Sequence, residues 1–279
     1  MPSTQSKMVA ECLAKSPVHD LWERAHLTEE NEPFYRMACD FILGTLQPSV
    51  AEPILDAGCG PCIHAIRLAR RGYKIQGVDF SETVLEKARL KIQEAGLKES
   101  IQIRREDLTA LSFADNSFRH VWCWGVLMHI PEVEKAIAEL SRVTRPGGHV
   151  VLSMVNSHSL QAVITMLKTR LGFGKFPQLV HFCRTAPGYE YWTQSGAGTH
   201  LTRHCHIRWV ISEFQKQGLW VRTHVAGQFT EQFLKFPPGR IRRMIHGWNH
   251  FWFQRIRIPF FSFGNILILE KRRGGNPPV

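Results

Sequence analysis

Apolar and polar positions change period abruptly near residue 53. Before it the spacing is helical: Phe34, Met37, Ala38, Phe41, Ile42 and Leu46 recur at close to 3.6 residues and predict one buried helix face. Beyond Pro53, short apolar runs alternate with helical stripes. The runs at Ile54-Leu55 and at 74–79, 101–104, 120–125 and 149–155 read as strands. Between them, 62–71 reads as a helix stopped by Gly72. Residues 81–95 read as a second, with Val84, Leu85, Ala88 and Ile92 on one side and Gly96 as its cap. A third spans 131–143, with Pro131 as its first residue, and Pro146-Gly147-Gly148 turns the chain into the fifth strand. Such alternation with short connections predicts a parallel sheet covered on both faces.

The rhythm breaks after residue 156. Residues 159–171 suit a helix, but 172–200 is too irregular and aromatic for a standard crossover. A helix over 206–217, a strand over 219–225, a second excursion over 226–264 and a last strand over 265–270 complete the chain before a short tail.

Composition narrows the class. An apolar fraction of 44% excludes global disorder, and no run of eighteen apolar residues predicts a membrane span. The N-terminus carries no apolar run of signal-peptide length. Seven cysteines without regular spacing suit free thiols in a reducing cytoplasm. Charge is lopsided: residues 1–150 balance at −2, whereas 151–279 carry 17 basic against 4 acidic residues. That field predicts attraction of an anion, whether a small molecule, an acidic polymer or a membrane face.

The chemistry gathers at the strand ends. Asp56-Ala57-Gly58-Cys59-Gly60 closes the first strand, and Asp79, 21 residues beyond Gly58, closes the second. Gly58 and Gly60 let a ligand approach the backbone, and Asp79 stands at the distance of a carboxylate that accepts ribose hydroxyls. The third glycine of a dinucleotide fingerprint is absent, Ile63 standing in its place, and no Gly-Lys-Ser/Thr loop follows. What remains suits a nucleoside with an amino-acid tail: Asp56 balances its ammonium, directly or through water. Asp107 accepts from an adenine amine and Leu108 offers its N–H to a ring nitrogen. The plainer alternative makes Asp56 and Asp79 local caps and leaves Asp107 solvated. Cys59 and Cys62 form a C-x-x-C pair with no second pair, and His200, His204 and His206 crowd around Cys205 without zinc-site spacing, so no metal is expected.

These motifs resemble the class I S-adenosylmethionine-dependent methyltransferases, in the broad group that includes many small-molecule enzymes. Residues 54–60 match the first motif, 77–80 the second, 106–108 the third, 121–130 the fourth and 145–152 the approach to strand five. The resemblance implies an α/β, Rossmann-like, seven-stranded, mostly parallel sheet with helices on both faces, the seventh strand antiparallel beside the sixth. A helical extension over 1–50 would precede a methyltransferase domain over 51–279 with inserted lid segments at about 157–205 and 226–264. It also implies S-adenosyl-L-methionine as cofactor and S-adenosyl-L-homocysteine as product. Phe80 would lie against adenine, and the fourth motif, with Trp124, beneath the methionine end.

His129 and His158, which follow strands four and five, are the candidates for accepting a proton from the methyl acceptor. A structural role for His129 stands beside that reading. The aromatics Phe173, Phe176, Phe182, Tyr189, Tyr191 and Trp192, then Trp248, Phe251, Trp252 and Phe253, with Arg and Lys between them, predict a pocket for a small, flat or hydrophobic acceptor, neutral or anionic. RNA- or protein-directed transfer, and binding without transfer, are the alternatives. Residues 240–256 read as a loosely amphipathic helix that closes the acceptor pocket, with a homodimer surface or anionic-lipid contact as the competing uses.

Overall fold

The computed structural model describes residues 4–171, 179–195 and 198–273. Three helices come first: α1 (Thr4–Leu13), α2 (Ser16–His26) and α3 (Glu32–Leu46). In α3 the buried residues are Phe34, Tyr35, Ala38, Cys39 and Ile42: three of the predicted stripe with Tyr35 and Cys39 added, while Met37, Phe41 and Leu46 are half-buried. Strands β1 (Ile54–Ala57), β2 (Ile75–Asp79), β3 (Ile101–Arg105), β4 (Phe118–Trp124) and β5 (Thr144–Val155) alternate with α4 (Ile63–Ala69), α5 (Glu82–Glu94) and α6 (Val133–Val143). Next come α7 (Leu160–Arg170), β6 (Leu179–Arg184), β7 (Gly188–Ser195) and β8 (Gly198–Cys205). The chain then runs through α8 (Ile207–Lys216), β9 (Leu219–Ala226), α9 (Arg240–Phe251) with a π-helical turn to Ile256, and β10 (Gly264–Lys271).

The main sheet has the order β3-β2-β1-β4-β5-β10-β9, parallel except for β10, which runs antiparallel to both β5 and β9. Strand residues alternate between two cores. Leu55, Val121, Val150 and Leu267 face α6 and α8, whereas Ile54, Trp122, Val151 and Ile266 face α3, α4 and α5. The strand order reverses between β1 and β4, and in such sheets the crevice beyond the carboxyl ends at that point receives ligands.

Three expectations are corrected. The helix expected from Pro131 starts at Val133, because a single 3-10 turn over Leu127–His129 intervenes. The Pro146-Gly147-Gly148 turn lies inside β5; a Cβ on Gly148 would stand 2.5 Å from the Arg119 carbonyl, so the neighbouring backbone tolerates only glycine there. The stretch expected to be irregular holds an antiparallel sheet, β6-β7-β8. Its inward positions hide the strand signal, since Gly188, Glu190 and Trp192 are the buried side of β7. Glu190 accepts from Arg203 Nε and Nη2 at 3.0 and 2.7 Å, and Arg203, only 1% exposed, also donates to the Ile130 carbonyl at 2.8 Å. A buried ion pair thus fastens the small sheet to the turn after β4. Among the described residues no helix is long and apolar enough to cross a membrane.

Candidate active site

The turn after β1 is folded back onto β2: the N–H groups of Gly58 and Cys59 both donate to the Val78 carbonyl, at 2.8 and 2.9 Å. Gly58 adopts φ +77°, and a Cβ there would stand 2.5 Å from Val126 beyond β4. Gly60 has φ +51°, with nothing within 4 Å of the position its Cβ would take. The first glycine therefore permits close packing of the crevice wall, and the second leaves room above the turn. Asp79 is buried at the end of β2, its Oδ2 accepting from Gly60 N and its Oδ1 from Ser81 N, both at 3.0 Å. Each oxygen retains a lone pair for a further donor. Burial raises the Asp79 pKa.

Asp56 sits behind this turn, buried in β1, and its Oδ2 has no hydrogen-bond partner. Burial first, and the nearby Asp79 second, push its pKa up to about 7. A carboxyl left half-satisfied in the interior is costly unless a donor arrives. Two acids and open space above Gly60 fit a ligand that carries both hydroxyls and an ammonium group. Asp107 is exposed, with Oδ1 accepting from Thr109 N and Oγ1, each at 2.8 Å, while the neighbouring Leu108 is buried.

A cavity of about 1190 Å³ takes in Gly58, Gly60, Asp79, Phe80, Asp107, Leu108 and Trp124, and continues to His129. Its far walls are α1, α2, β8 and the segment after β9. His129 is half-buried, and burial lowers its pKa. Its Nδ1 meets the Leu201 carbonyl at 2.7 Å; a carbonyl only accepts, so Nδ1 carries the proton and neutral His129 keeps Nε2 free as a base. His158 is not among the lining residues. It is exposed and bonded through Nδ1 to Ser157 Oγ at 3.0 Å, while His206 meets the same hydroxyl at 2.7 Å. Asp56 also lies outside the lining.

The aromatic wall is not the one expected. Phe173 and Phe176 lie outside the described residues. Phe182, Tyr189, Tyr191, Trp192, Trp248, Phe251, Trp252 and Phe253 do not line the cavity. Trp192 packs with Val9 and Leu201, and Phe253 fills the core against Phe34, ring centres 5.5 Å apart. No residue of α9 reaches the cavity either, so the pocket-closing helix is a correction. Its Arg242 is turned inward to Glu30 at 2.6 Å, and Asn249 exchanges hydrogen bonds with the Thr230 backbone. The basic excess of the second half is likewise not focused inward: among the described residues the cavity's Lys and Arg are Lys7 and Arg24, against six carboxylates.

Residues outside that expected aromatic wall replace it. Tyr35, His64, His200, His204 and Glu231 all line the cavity. His64 packs tilted against Trp124 with ring centres 4.9 Å apart, its Nε2 lacks a partner, and burial drives its pKa well down. Burial also lowers His204 to about 4 and raises Glu231 to about 7. His200 and His204 carried a signal as members of the histidine cluster around Cys205, whereas nothing in the sequence set Tyr35, His64 or Glu231 apart. His200 and His204 point to the cavity while His206 turns to Ser157, and among the described residues no three potential ligands converge as a metal site.

Fold and crevice together define an α/β protein with an open, acid-lined cavity at the ends of β1, β2 and β4. Residues 55–152 match the family model described as Methyltransferase domain. Those residues carry a class I S-adenosylmethionine-dependent methyltransferase domain, a type whose cofactor pair is S-adenosylmethionine and S-adenosylhomocysteine. It is 33% identical over 109 residues to "Methyltransferase GfsG" of Streptomyces halstedii, covering 39% of each chain. It is 29% identical over 145 residues to a "Ubiquinone biosynthesis O-methyltransferase" of Alkalilimnicola ehrlichii, covering 51% of this chain and 57% of that one. These alignments span about half, or less, of the relatives' own length. Magnesium protoporphyrin IX methyltransferase of Synechocystis PCC 6803, solved with bound S-adenosylhomocysteine, shares the fold. Its TM-score is 0.61 at 18% identity, covering 95% of this chain and 99% of that one.

Proposed function

We propose that this protein transfers a methyl group from S-adenosylmethionine to a small, largely apolar organic acceptor. The observation that carries the reading is the continuity of one cavity from Gly58, Gly60 and Asp79 to His129, His200 and His204. Its volume of about 1190 Å³ exceeds the roughly 300–1,000 Å³ of a single small-ligand site, leaving room for cofactor and acceptor together. The glycine turn holds the amino-acid tail, Asp56 balances the ammonium through that turn, and Asp79 accepts the ribose hydroxyls. Phe80 and Leu108 flank the adenine, Asp107 accepts from its amine, and Trp124 supports the methionine end.

Bound there, S-adenosylmethionine supplies a methyl group already activated on a sulfonium. The protein's remaining work is alignment and, for a hydroxyl acceptor, removal of one proton. Neutral His129 takes that proton on Nε2 while Nδ1–H stays on the Leu201 carbonyl. His158, exposed and outside the lining, has no part in this scheme. Uncharged imidazoles and Phe263 around the acceptor end favour a neutral aromatic or aliphatic compound over an anion. The name of the ubiquinone-pathway relative, an O-methyltransferase, suits an oxygen acceptor.

The test is transfer from methyl-labelled cofactor into RNA, protein and small-metabolite fractions, with S-adenosylhomocysteine measured alongside. Label in the small-molecule fraction, matched by S-adenosylhomocysteine, supports the reading; label confined to a polymer sinks it.

A further inference from the structure

The outer face of α9 is apolar and its inner face polar. Arg242, His246 and Asn249 are buried, whereas Ile241, Met244, Trp248 and Phe251 form a stripe at helical spacing turned to solvent, Met244 being 74% exposed. Helix α7 repeats the pattern, with Ala162 buried and Leu160, Val163, Ile164 and Leu167 exposed. Ile258, Phe260 and Phe261 stand out on the loop before β10, Phe260 being 55% exposed.

These pieces are joined. The backbone N–H of Leu160 donates to the Phe261 carbonyl at 3.3 Å, and Asn156 Nδ2 to the Phe260 carbonyl at 2.9 Å. Trp252 Nε1 donates to the Ile258 carbonyl at 3.3 Å, and Trp252 lies 5.9 Å from Trp248, which lies 5.7 Å from Phe251. Isolated exposed hydrophobics need no explanation, but a joined patch on two helices and a loop marks an interaction site.

Charge selects the partner. Lys168 on α7, Arg240 and Arg243 on α9, and Lys235 and Arg255 in the turns just before and after α9 are exposed, and none pairs with a described carboxylate. The sequence holds no Asp or Glu between Glu231 and Glu270, and none between Glu139 and Glu190. A twofold dimer would set these cations against their own copies with no acid to relieve them. An anionic bilayer instead accepts aromatic and aliphatic side chains at the acyl boundary and gathers Lys and Arg at its headgroups. We propose that α7, the outer face of α9 and the 258–261 loop form an interfacial surface that seats this protein on anionic lipid bilayers.

Co-sedimentation of the full chain tests this, using vesicles of phosphatidylcholine alone and vesicles containing phosphatidylglycerol, at low and high salt. The wild type is expected to bind the phosphatidylglycerol vesicles and to be released by salt. Arg240→Glu/Arg243→Glu and, separately, Phe260→Ser/Phe261→Ser are each expected to weaken binding by roughly tenfold or more, with unchanged thermal melting. Equal binding to both vesicle types, or variants that bind as the wild type does, would overturn the proposal. So would a concentration-dependent dimer in sedimentation velocity that Phe260→Ser/Phe261→Ser abolishes, because the face would then belong to a second copy.

Discussion

His129 donates its Nδ1–H to the main-chain carbonyl of Leu201 across 2.7 Å, joining the turn after β4 to the middle of β8. The bond fixes the tautomer and the ring orientation, and burial lowers the pKa despite the bond's opposing effect. The imidazole is therefore neutral at pH 7, with Nε2 unprotonated in the cavity.

His129→Ala is accordingly expected to lower kcat by about a hundredfold or more, the usual scale for a lost general base, with little change in the KM for cofactor. The wild-type rate is expected to be flat around neutrality and to fall as pH drops below the ordinary histidine range, where His129 gains its second proton. Rates of S-adenosylhomocysteine release between pH 5 and 9 would check both. Full kcat in the variant would leave His129 only a structural role.

The support for that turn comes from Glu190 and Arg203, both buried. Removing one partner strands the other charge, so Glu190→Ala is expected to cost about 3–5 kcal/mol in urea unfolding. Replacing both at once, as Glu190→Leu with Arg203→Met, leaves no stranded charge and is expected to cost less than the single change. A double variant as damaged as Glu190→Ala would show that the pair's specific hydrogen bonds, not charge burial, hold the sheet.

The central sheet was legible because its cause is local. Ile54-Leu55, Val78 and residues 149–155 announce buried strands by composition, and glycines and acids at their ends announce the cofactor edge. The far wall was not legible, because its cause is tertiary. Burial in β7 alternates, but one inward position is Glu190, neutralised by a residue 13 positions on, and no periodicity shows that pairing. The period of α9 was visible, but not the direction of its faces. Buried Arg242 makes sense only once Glu30 arrives from the far end of the chain. Helical spacing says which residues share a face and is silent about which face meets the core.

Asp79 offers a simpler test. Its two oxygens fix Gly60 and Ser81 while keeping lone pairs for a bound diol. Asp79→Ala removes a charged acceptor from a buried site, a loss worth about 1.5–3 kcal/mol or roughly ten- to a hundredfold in Kd. Calorimetric titration with S-adenosylhomocysteine would measure it, and an unchanged Kd would reject the assignment.

Asp56 links cofactor binding to pH. Its folded-state pKa of about 7 stands above the usual carboxyl value, so the folded free protein holds a proton there that the unfolded chain has lost. A raised acid pKa contributes stability that is complete below the unfolded value and disappears as pH rises through the folded one. Between about pH 4 and 7 the wild type is therefore expected to lose stability relative to Asp56→Asn, which cannot ionise. The histidines of lowered pKa act in the opposite direction in part of that window, and Glu231 in the same direction, but both are common to the two proteins and cancel in the difference. An arriving ammonium favours the carboxylate, so cofactor binding near pH 6 is expected to release a proton. That release appears as a dependence of the calorimetric enthalpy on the buffer's ionisation enthalpy, and it should vanish in Asp56→Asn. Proton release of equal size in the variant would assign the linkage to another group, Glu231 being the next candidate, and would separate Asp56 from the cofactor's charge.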